Sequence, residues 1–400
     1  MRVFYICQRV PFPPNRGDKI TTYNEIKHLA REHEVHVFCM ADGVEDLANV
    51  AKVKDFVASI QAVAVSPFGA KWRAALALFT GEPLSVAAFS NRALHLAIRQ
   101  AHARQPADLM IVYSCNVAQY AAYFPDCRRI MQFADLDSLK WGQYAERHRP
   151  PMKWLYALEQ RRLLAYERSI AHSFDHSLVC TAVEQRDFEA LIPGAPISLV
   201  ANGVDLAYFQ TLHFPKIEGR MVFTGVMDYL PNIDAVAWFC AEIYPRVRRA
   251  VPQASFVICG SRPTDAVKNL AKIDGVSVTG WVEDTRPHLD AAQLFVAPLR
   301  MARGVQNKVL EGLAMGLPCV ASMAAWAGTV IPQGEGIVAS NDPAEFARQI
   351  VKLITDAQYR AQMALRARQS AEAHYTWQAQ MDLLDGVMAQ VIQAPAKLRT

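Results

Sequence analysis

Residues 303–322, RGVQNKVLEGLAMGLPCVAS, constrain this chain more than any other stretch. A loop with glycine and charge leads into a helical pattern over 306–314, which stops at Met315-Gly316-Leu317-Pro318. The apolar residues 319–321 follow with strand character. Gly316 is placed as a helix C-cap, and Pro318 forbids continuation. Gly304 suits a close approach of backbone to a ligand, and the free amides at the start of the helix suit a phosphate. Glu311 falls one turn after Asn307 and Lys308, on or near the same face. Two readings stand on local chemistry. One is an anionic, polar ligand held where a helix begins beside a parallel sheet. The other is an ordinary loop–helix–strand unit with a surface lysine.

Earlier in the chain, strand-like runs alternate with helical stretches, which predicts an α/β fold. Residues 3–7 read as a buried strand. Residues 8–19 form a stiff loop with three prolines and Gly17 at that strand's carboxyl end, the edge where ligands lie in an open parallel sheet. Arg9, Arg16 and Lys19 supply positive charge there, and Gly17 permits close approach; the alternative is a solvated turn. A helix is predicted over 19–32, a strand over 34–40, a loop and helix over 42–55, and a helix end or third strand over 56–65. Residues 68–88, FGAKWRAALALFTGEPLSVAA, predict a short apolar helix with a basic, aromatic start. Such a segment either lies on a membrane surface or packs on its own domain as an acceptor-side helix.

A helix over 91–105 and strands over 108–113 and 129–133 follow. The last strand ends at Asp135-Leu136-Asp137-Ser138-Leu139-Lys140-Trp141. Acidic residues just past a strand end, beside Lys140 and Trp141, form a candidate functional cluster. Asp137 and Ser138 both suit a helix cap, which leaves Asp135 to take a proton from an acceptor hydroxyl. Residues 152–171 predict a long helix whose many charges face solvent, with a basic excess that leaves room for phospholipid or a phosphate-bearing acceptor. A strand over 176–181 and a helix to residue 191 come next. Residues 197–205, ISLVANGVD, end a strand at Asn202-Gly203, a turn that readily takes positive φ.

A second α/β domain begins with a strand over 220–224. Gly225 and Met227 lie in the polar turn before a helix over 232–243, a phosphate or sugar loop without a GxGxxG string. A strand over 255–259 leads to Arg262, placed to pair with phosphate oxygens as a fork, or else an ordinary surface arginine. Trp281 and Val282 follow a short strand over 276–278, in a turn expected beside a bound base. The strand over 294–298 delivers Arg303. Asp342 and Glu345 predict a capping box, and helices are predicted over 359–373 and 378–392. The polar tail 394–400 is expected to fray.

Four hundred residues, 52% hydrophobic and 20% charged, predict two globular domains. A net charge of +4, from 42 basic and 38 acidic residues, does not argue for nucleic acid. No signal peptide and no spanning run are read. The eight cysteines sit mostly in apolar segments without CxxC, the habit of buried thiols in a reducing compartment. Neither they nor the 11 histidines cluster at zinc-ligand spacing.

Residues 303–322 also resemble the nucleotide-sugar-binding segment of family 4 glycosyltransferases of the GT-B fold, and 197–205 with Phe209 resembles that family's hinge. The chain is similar throughout to the sugar transferases of exosortase-associated exopolysaccharide systems, with GVQNKVLE after an arginine and a GxMxYxPNxDA loop. The resemblance implies two Rossmann-like domains facing each other across a cleft. They would be an acceptor-side domain over 1–205, with a terminal helix over 376–393 packing back on it, and a nucleotide-sugar domain over 206–375. It implies retaining transfer from a UDP- or GDP-sugar to a saccharide or polyprenyl-diphosphate-linked acceptor, in the cytoplasm and peripherally at the inner membrane. With no metal pair credibly placed, the leaving diphosphate would fall to Lys308, Arg262, Arg303 and helix amides, with no metal and no cofactor. The donor is expected against Gly17, Gly225, Met227, Arg262, Trp281, Val282, Arg303, Gly304, Val305, Gln306, Asn307, Lys308 and Glu311. In that match Glu311 grips the ribose. Asp135 is the expected acceptor-side base, with Arg9, Arg16, Lys19, Lys140 and Trp141 around the acceptor. The sequence departs from the family where its first motif glutamate falls on Arg303, and where the arginine and lysine of its phosphate loop would stand, at Val226 and beyond. Competing readings are a GT-B epimerase, a phosphorylase-like enzyme, or an inactive sugar-nucleotide-binding scaffold.

Overall fold

The computed structural model describes residues 1–124 and 126–395; from residue 396 on, the tail expected to fray lies outside them. The chain divides into two compact units. The first comprises Met1–Cys180, Glu184–Val200 and the chain from Met381 on; the second comprises Ala201–Gln380 with Thr181–Val183.

The first unit begins β1 (Arg2–Cys7), α1 (Gly17–Leu29), β2 (Glu34–Ala41), α2 (Val44–Lys54) and β3 (Ser59–Ala64). It continues α3 (Pro67–Thr80), α4 (Leu84–Ala88), α5 (Arg92–Arg104), β4 (Leu109–Tyr113), β5 (Arg128–Ala134), α6 (Asp137–Arg147) and α7 (Met152–Ser173). It closes with β6 (His176–Val179), α8 (Ala182–Leu191) and β7 (Ile197–Leu199). The seven strands form one parallel sheet in the order β3-β2-β1-β4-β5-β6-β7. The central strands are apolar on both faces because helices cover both.

The second unit runs β8 (Arg220–Thr224), α9 (Leu230–Trp238), α10 (Tyr244–Ala250), β9 (Ser255–Cys259), α11 (Asp265–Lys268), β10 (Val276–Gly280), α12 (Arg286–Asp290) and β11 (Leu294–Ala297). Then come α13 (Asn307–Ala314), β12 (Cys319–Ala321), α14 (Met323–Ala327), β13 (Ile337–Ala339), α15 (Pro343–Thr355) and α16 (Ala357–His374). The last helix, α17 (Trp377–Gln393), starts here and ends in the first unit. The sheet is parallel, ordered β10-β9-β8-β11-β12-β13. In each unit the chain winds first to one side of its opening strand and then to the other. The winding reverses between β1 and β4, and again between β8 and β11. Such a reversal opens a crevice at the carboxyl ends of the strands, where ligands of open α/β sheets lie.

Several expectations need correction. The single helix over 68–88 is two, α3 and α4, broken where Gly81 turns left-handed and Pro83 takes the N-cap position of α4. The helix predicted to stop at residue 243 passes through a π-helical turn, Phe239–Ile243, and continues as α10, with Pro245 in its first turn, where its missing N–H costs nothing. The charges of α7 do not all face solvent. Glu159 and Glu167 are buried. Glu159 accepts from the Leu84 and Ser85 amides at 2.6 and 2.9 Å, while Arg162 donates to the Ala77 and Leu78 carbonyls. One helix thus supplies caps of both signs to the α3–α4 corner. Asp342 caps α15 as expected, but Glu345 bonds Gln349 at 2.7 Å instead of closing a capping box.

Gly203 is absent from the positive-φ residues, so the turn reading of Asn202-Gly203 is wrong. The glycine is required by space: a Cβ there would lie 2.6 Å from the Trp377 ring and 2.8 Å from its Cα. A Gly203→Ala variant should lose on the order of 1–3 kcal/mol through overpacking; a denaturant melt checks this, and Asp205→Ala serves as the neighbouring control.

Candidate functional site

In the second unit the reversal between β8 and β11 sets two loops side by side. One is 225–229, after β8; the other is 298–306, after β11 and before α13. Lys308, in the first turn of α13, crosses the gap. Its ammonium donates to Asn232 Oδ1 and lies 4.7 Å from the centroid of the Phe223 ring. Asn232 is itself buried and donates to the Val226 carbonyl at 2.8 Å. The glycine at position 225 is what lets these groups meet. A Cβ there would stand 2.7 Å from Asn232 Nδ2 and 3.1 Å from Lys308 Nζ. The sequence reading placed Asn232 at a helix start and inside the GxMxYxPNxDA string but gave it no role. Nothing in that string signals a partner 76 residues away.

Glu311 lies one turn on from Lys308. Both keep some surface, but desolvation dominates each titration. Burial pulls Lys308 down to about 8, partly opposed by Glu311. Burial pushes Glu311 up to about 7, partly opposed by Lys308.

The start of α13 is open to an anion. Gln306 is the N-cap residue, but its side chain turns back to the Arg303 carbonyl at 2.8 Å and caps no amide. Gly304 has φ 64 and Val305 is partly buried beside it. Asn307, expected to face a donor, has its side-chain oxygen occupied by Asn202 at 2.9 Å. The hinge-like string and the α13 motif are therefore joined by one hydrogen bond inside this unit.

The neighbouring loops divide the remaining candidates. Met227 is fully buried and its amide donates to the Ser261 carbonyl at 2.8 Å; its side chain belongs to the core and its backbone locks two loops together. Arg262 has left-handed backbone (φ 53), is 66% exposed, and pairs with Asp228 at 3.1 Å. Trp281 stands 74% exposed after β10, with Val282 partly buried behind it.

In the first unit the basic loop after β1 is neutralised internally. Arg9 pairs with Asp18 and Asp42, each at 2.8 Å. Arg16 lies 3.6 Å from Asp18, and the buried Lys19 lies 2.7 Å from Asp46. The expected free positive charge is thus held in local pairs, and Lys19 is a structural ion pair. Gly17 is the first residue of α1. At the carboxyl end of β5, Asp135 is partly exposed beside Ala134, whose φ is 62. Asp137 and Ser138 do not cap α6 with their own side chains. Glu184 accepts from the Leu136 amide at 3.1 Å and Glu167 from the Ser138 amide at 3.2 Å. Burial raises Glu167 to about 8. Lys140 lies 3.7 Å from Asp137. Trp141 packs against Tyr156 and Tyr144, so it belongs to the α6–α7 interface. Among the described residues no group of three His, Cys, Asp or Glu side chains is arranged to hold a metal, and all eight cysteines are buried thiols.

The comparisons with known proteins point the same way as this geometry. Residues 218–356 match the model of the glycosyl transferases group 1 family. A search of curated proteins found no match. Among solved structures, Anabaena HepE in complex with UDP and glucose is similar, with a TM-score of 0.68 at 16% identity over 98% of this chain and 100% of that one. Sucrose-phosphate synthase from Thermosynechococcus elongatus gives 0.70 at 16% identity, over 99% and 100%. A glycosyltransferase from Rickettsia africae gives 0.66 at 11% identity, over 98% and 99%. This chain thus has the α/β GT-B fold, and its residues 218–356 match the glycosyl transferases group 1 family model.

Proposed function

We propose that the chain moves a sugar from a nucleoside-diphosphate sugar, UDP- or GDP-linked, to a saccharide or polyprenyl-diphosphate-linked acceptor in exopolysaccharide biosynthesis. The observation that carries this reading is the desolvated Lys308–Glu311 pair beside the uncapped start of α13, inside the segment that matches the family model. A diphosphate suits that place because two amide donors and an ammonium meet it together. A carboxylate one turn on suits the vicinal hydroxyls of a ribose, each of which can donate to one oxygen.

In the proposed transfer an acceptor hydroxyl oxygen bonds to the anomeric carbon. The bond from that carbon to the phosphate oxygen breaks, and the electron pair leaves with the nucleoside diphosphate. The new negative charge falls on Lys308, on the amides of Asn307 and Lys308, and on Arg262 once it leaves Asp228. The hydroxyl proton passes to a carboxylate, for which Asp135 is the candidate. The anomeric configuration is retained, and neither metal nor cofactor takes part. The exposed Trp281 offers a ring for the base to stack on. Such an acceptor goes with a peripheral place on the cytoplasmic face of the inner membrane. No helix among the described residues is long and apolar enough to cross a membrane.

Nucleoside diphosphate release from a panel of donor sugars, with and without EDTA and lipid extract, tests the reading, and proton NMR of the product reads the anomer. Lys308→Met should lower kcat/KM by roughly 10²–10³-fold, the usual loss for one transition-state donor. Glu311→Gln should act chiefly through KM. Tight UDP or GDP binding without turnover of any donor would instead favour the scaffold.

The affinity for UDP or GDP should also depend on pH with a definite sign. The ammonium of Lys308 is present below about 8, and the carboxylate of Glu311 is ionised above about 7. Calorimetric titration should therefore give its tightest binding between these values and weaker binding on either side. Lys308→Met should flatten the alkaline limb, and Glu311→Gln the acid limb.

A further inference from the structure

Helix α3 is built inside out. At 3.6 residues per turn, Phe68, Trp72, Leu76 and Phe79 share one side with Lys71 and Leu78 at its margin, while Ala70, Arg73, Ala74 and Ala77 lie opposite. A helix of a globular domain turns its large apolar residues inward. Here the small residues face the protein, and Ala77 is the only residue of the helix that is buried. Phe68, Trp72 and Phe79 are 79%, 61% and 88% exposed.

The helix is nevertheless held firmly. Arg73 donates to the carbonyls of Ala87 and Ala88, Arg162 donates to those of Ala77 and Leu78, and Ser66 caps its start. The outward set is thus presented on a braced element. Within the helix its charge has one sign: no acidic residue occurs from Pro67 to Thr80, exposed Glu82 lying beyond Gly81, and Lys71 is exposed at the edge of the apolar arc. Helix α7, which Arg162 ties to α3, adds exposed Lys153, Trp154 and Arg161.

The geometry points to α3 as a docking surface for an anionic phospholipid bilayer, with its aromatic row sunk into the headgroup boundary and its one lysine, Lys71, against lipid phosphates. Three features select a bilayer over another protein. The row is a single convex helix and offers no groove. Its largest members are Phe and Trp, residues that form the apolar face of helices lying in the membrane interface, and Trp72 brings an N–H suited to the headgroup level. Lys71 lies at its margin, and α3 itself carries no acidic residue to pair in trans with a second copy's Lys71. The inference deepens the proposed function, resting on its lipid-linked acceptor, and supplies the surface that would bring the enzyme to that acceptor.

Co-sedimentation of the full chain with vesicles tests it. The vesicles are phosphatidylcholine alone or phosphatidylcholine mixed with phosphatidylglycerol. The wild type should sediment with the mixed vesicles at least tenfold more than with phosphatidylcholine, and raised salt should weaken this. A triple variant, Phe68→Ser, Trp72→Ser and Phe79→Ser, should lose that binding tenfold or more. Its thermal shift with UDP or GDP should not change, since none of the three sites lies in the second unit. Failure of the wild type to bind either vesicle, equal binding to both, or full binding by the triple variant overturns the proposal. So does a dimer in size-exclusion chromatography that the triple variant dissolves without any vesicle binding. Donor turnover is measured in parallel. Vesicle binding without turnover removes the transfer reading and leaves the surface; turnover without vesicle binding removes the surface alone.

Discussion

The second unit depends on where one ammonium is kept. Lys308 sits at the point where the sheet's winding reverses, against an aromatic face and the oxygen of a buried amide side chain, with Glu311 a turn away. Desolvation works against the charge on both groups, pulling the lysine down to about 8 and pushing the glutamate up to about 7. A core arranged only for stability would not keep two such groups where burial penalises both charges and their mutual attraction offsets it only in part. The arrangement is economical only if something anionic and rich in hydroxyls enters. Such a ligand would hold the lysine as its ammonium and give the carboxylate donors to bond.

That placement explains features of the unit that look unrelated. Gly225 has to lack a side chain because the amide of Asn232 and the ammonium fill its space. Met227 is buried so that its amide can clasp the loop after β9 to the loop after β8. Asn202 fixes the first residue of α13 from the far end of the unit's sequence, and Gly203 beside it must stay small for Trp377. Each holds the frame around Lys308, and none needs to touch a ligand. The first unit handles charge differently. Its carboxylates turn inward: Glu25 accepts from Tyr5 and Gln132, Glu159 caps α4, and Glu167 and Glu184 cap the start of α6. Its basic loop after β1 is spent in local ion pairs.

The legible and illegible parts of the sequence separate along a physical line. Strands of a doubly covered parallel sheet are short apolar runs between turn residues, so β8, β9 and β12 were readable to the residue from composition alone. The stop at Gly316 and Pro318 follows from backbone chemistry that no tertiary contact can overrule; the break at Gly81 rests on the same chemistry, although the apolar run over 68–88 reads as one helix. Pairings are another matter. Lys19 finds Asp46, and Lys308 finds Asn232, only once the chain has folded. A lysine near a strand end therefore looks the same in sequence whether it awaits a phosphate or already holds a carboxylate. Glu159 and Glu167 were misread for the same reason: a helix pattern shows that a charge is present, not that its helix is pressed against another's unsatisfied amides. The three-dimensional partner decides, and it lies far away in sequence.

The family match ends where this division predicts. It covers residues 218–356, the core of the second unit, and leaves the first unit unmatched, although similar solved structures span nearly the whole chain. A diphosphate and a ribose make fixed demands: open amides at a helix start, a cation, and a carboxylate at a set spacing along one helix. Those demands are local, so they survive as a short string that a sequence model can match. An acceptor makes no such fixed demand. A unit that meets it needs only a sheet edge and the right surface. Under the proposed function the first unit would present both, through the carboxyl edge of its sheet and the outward face of α3.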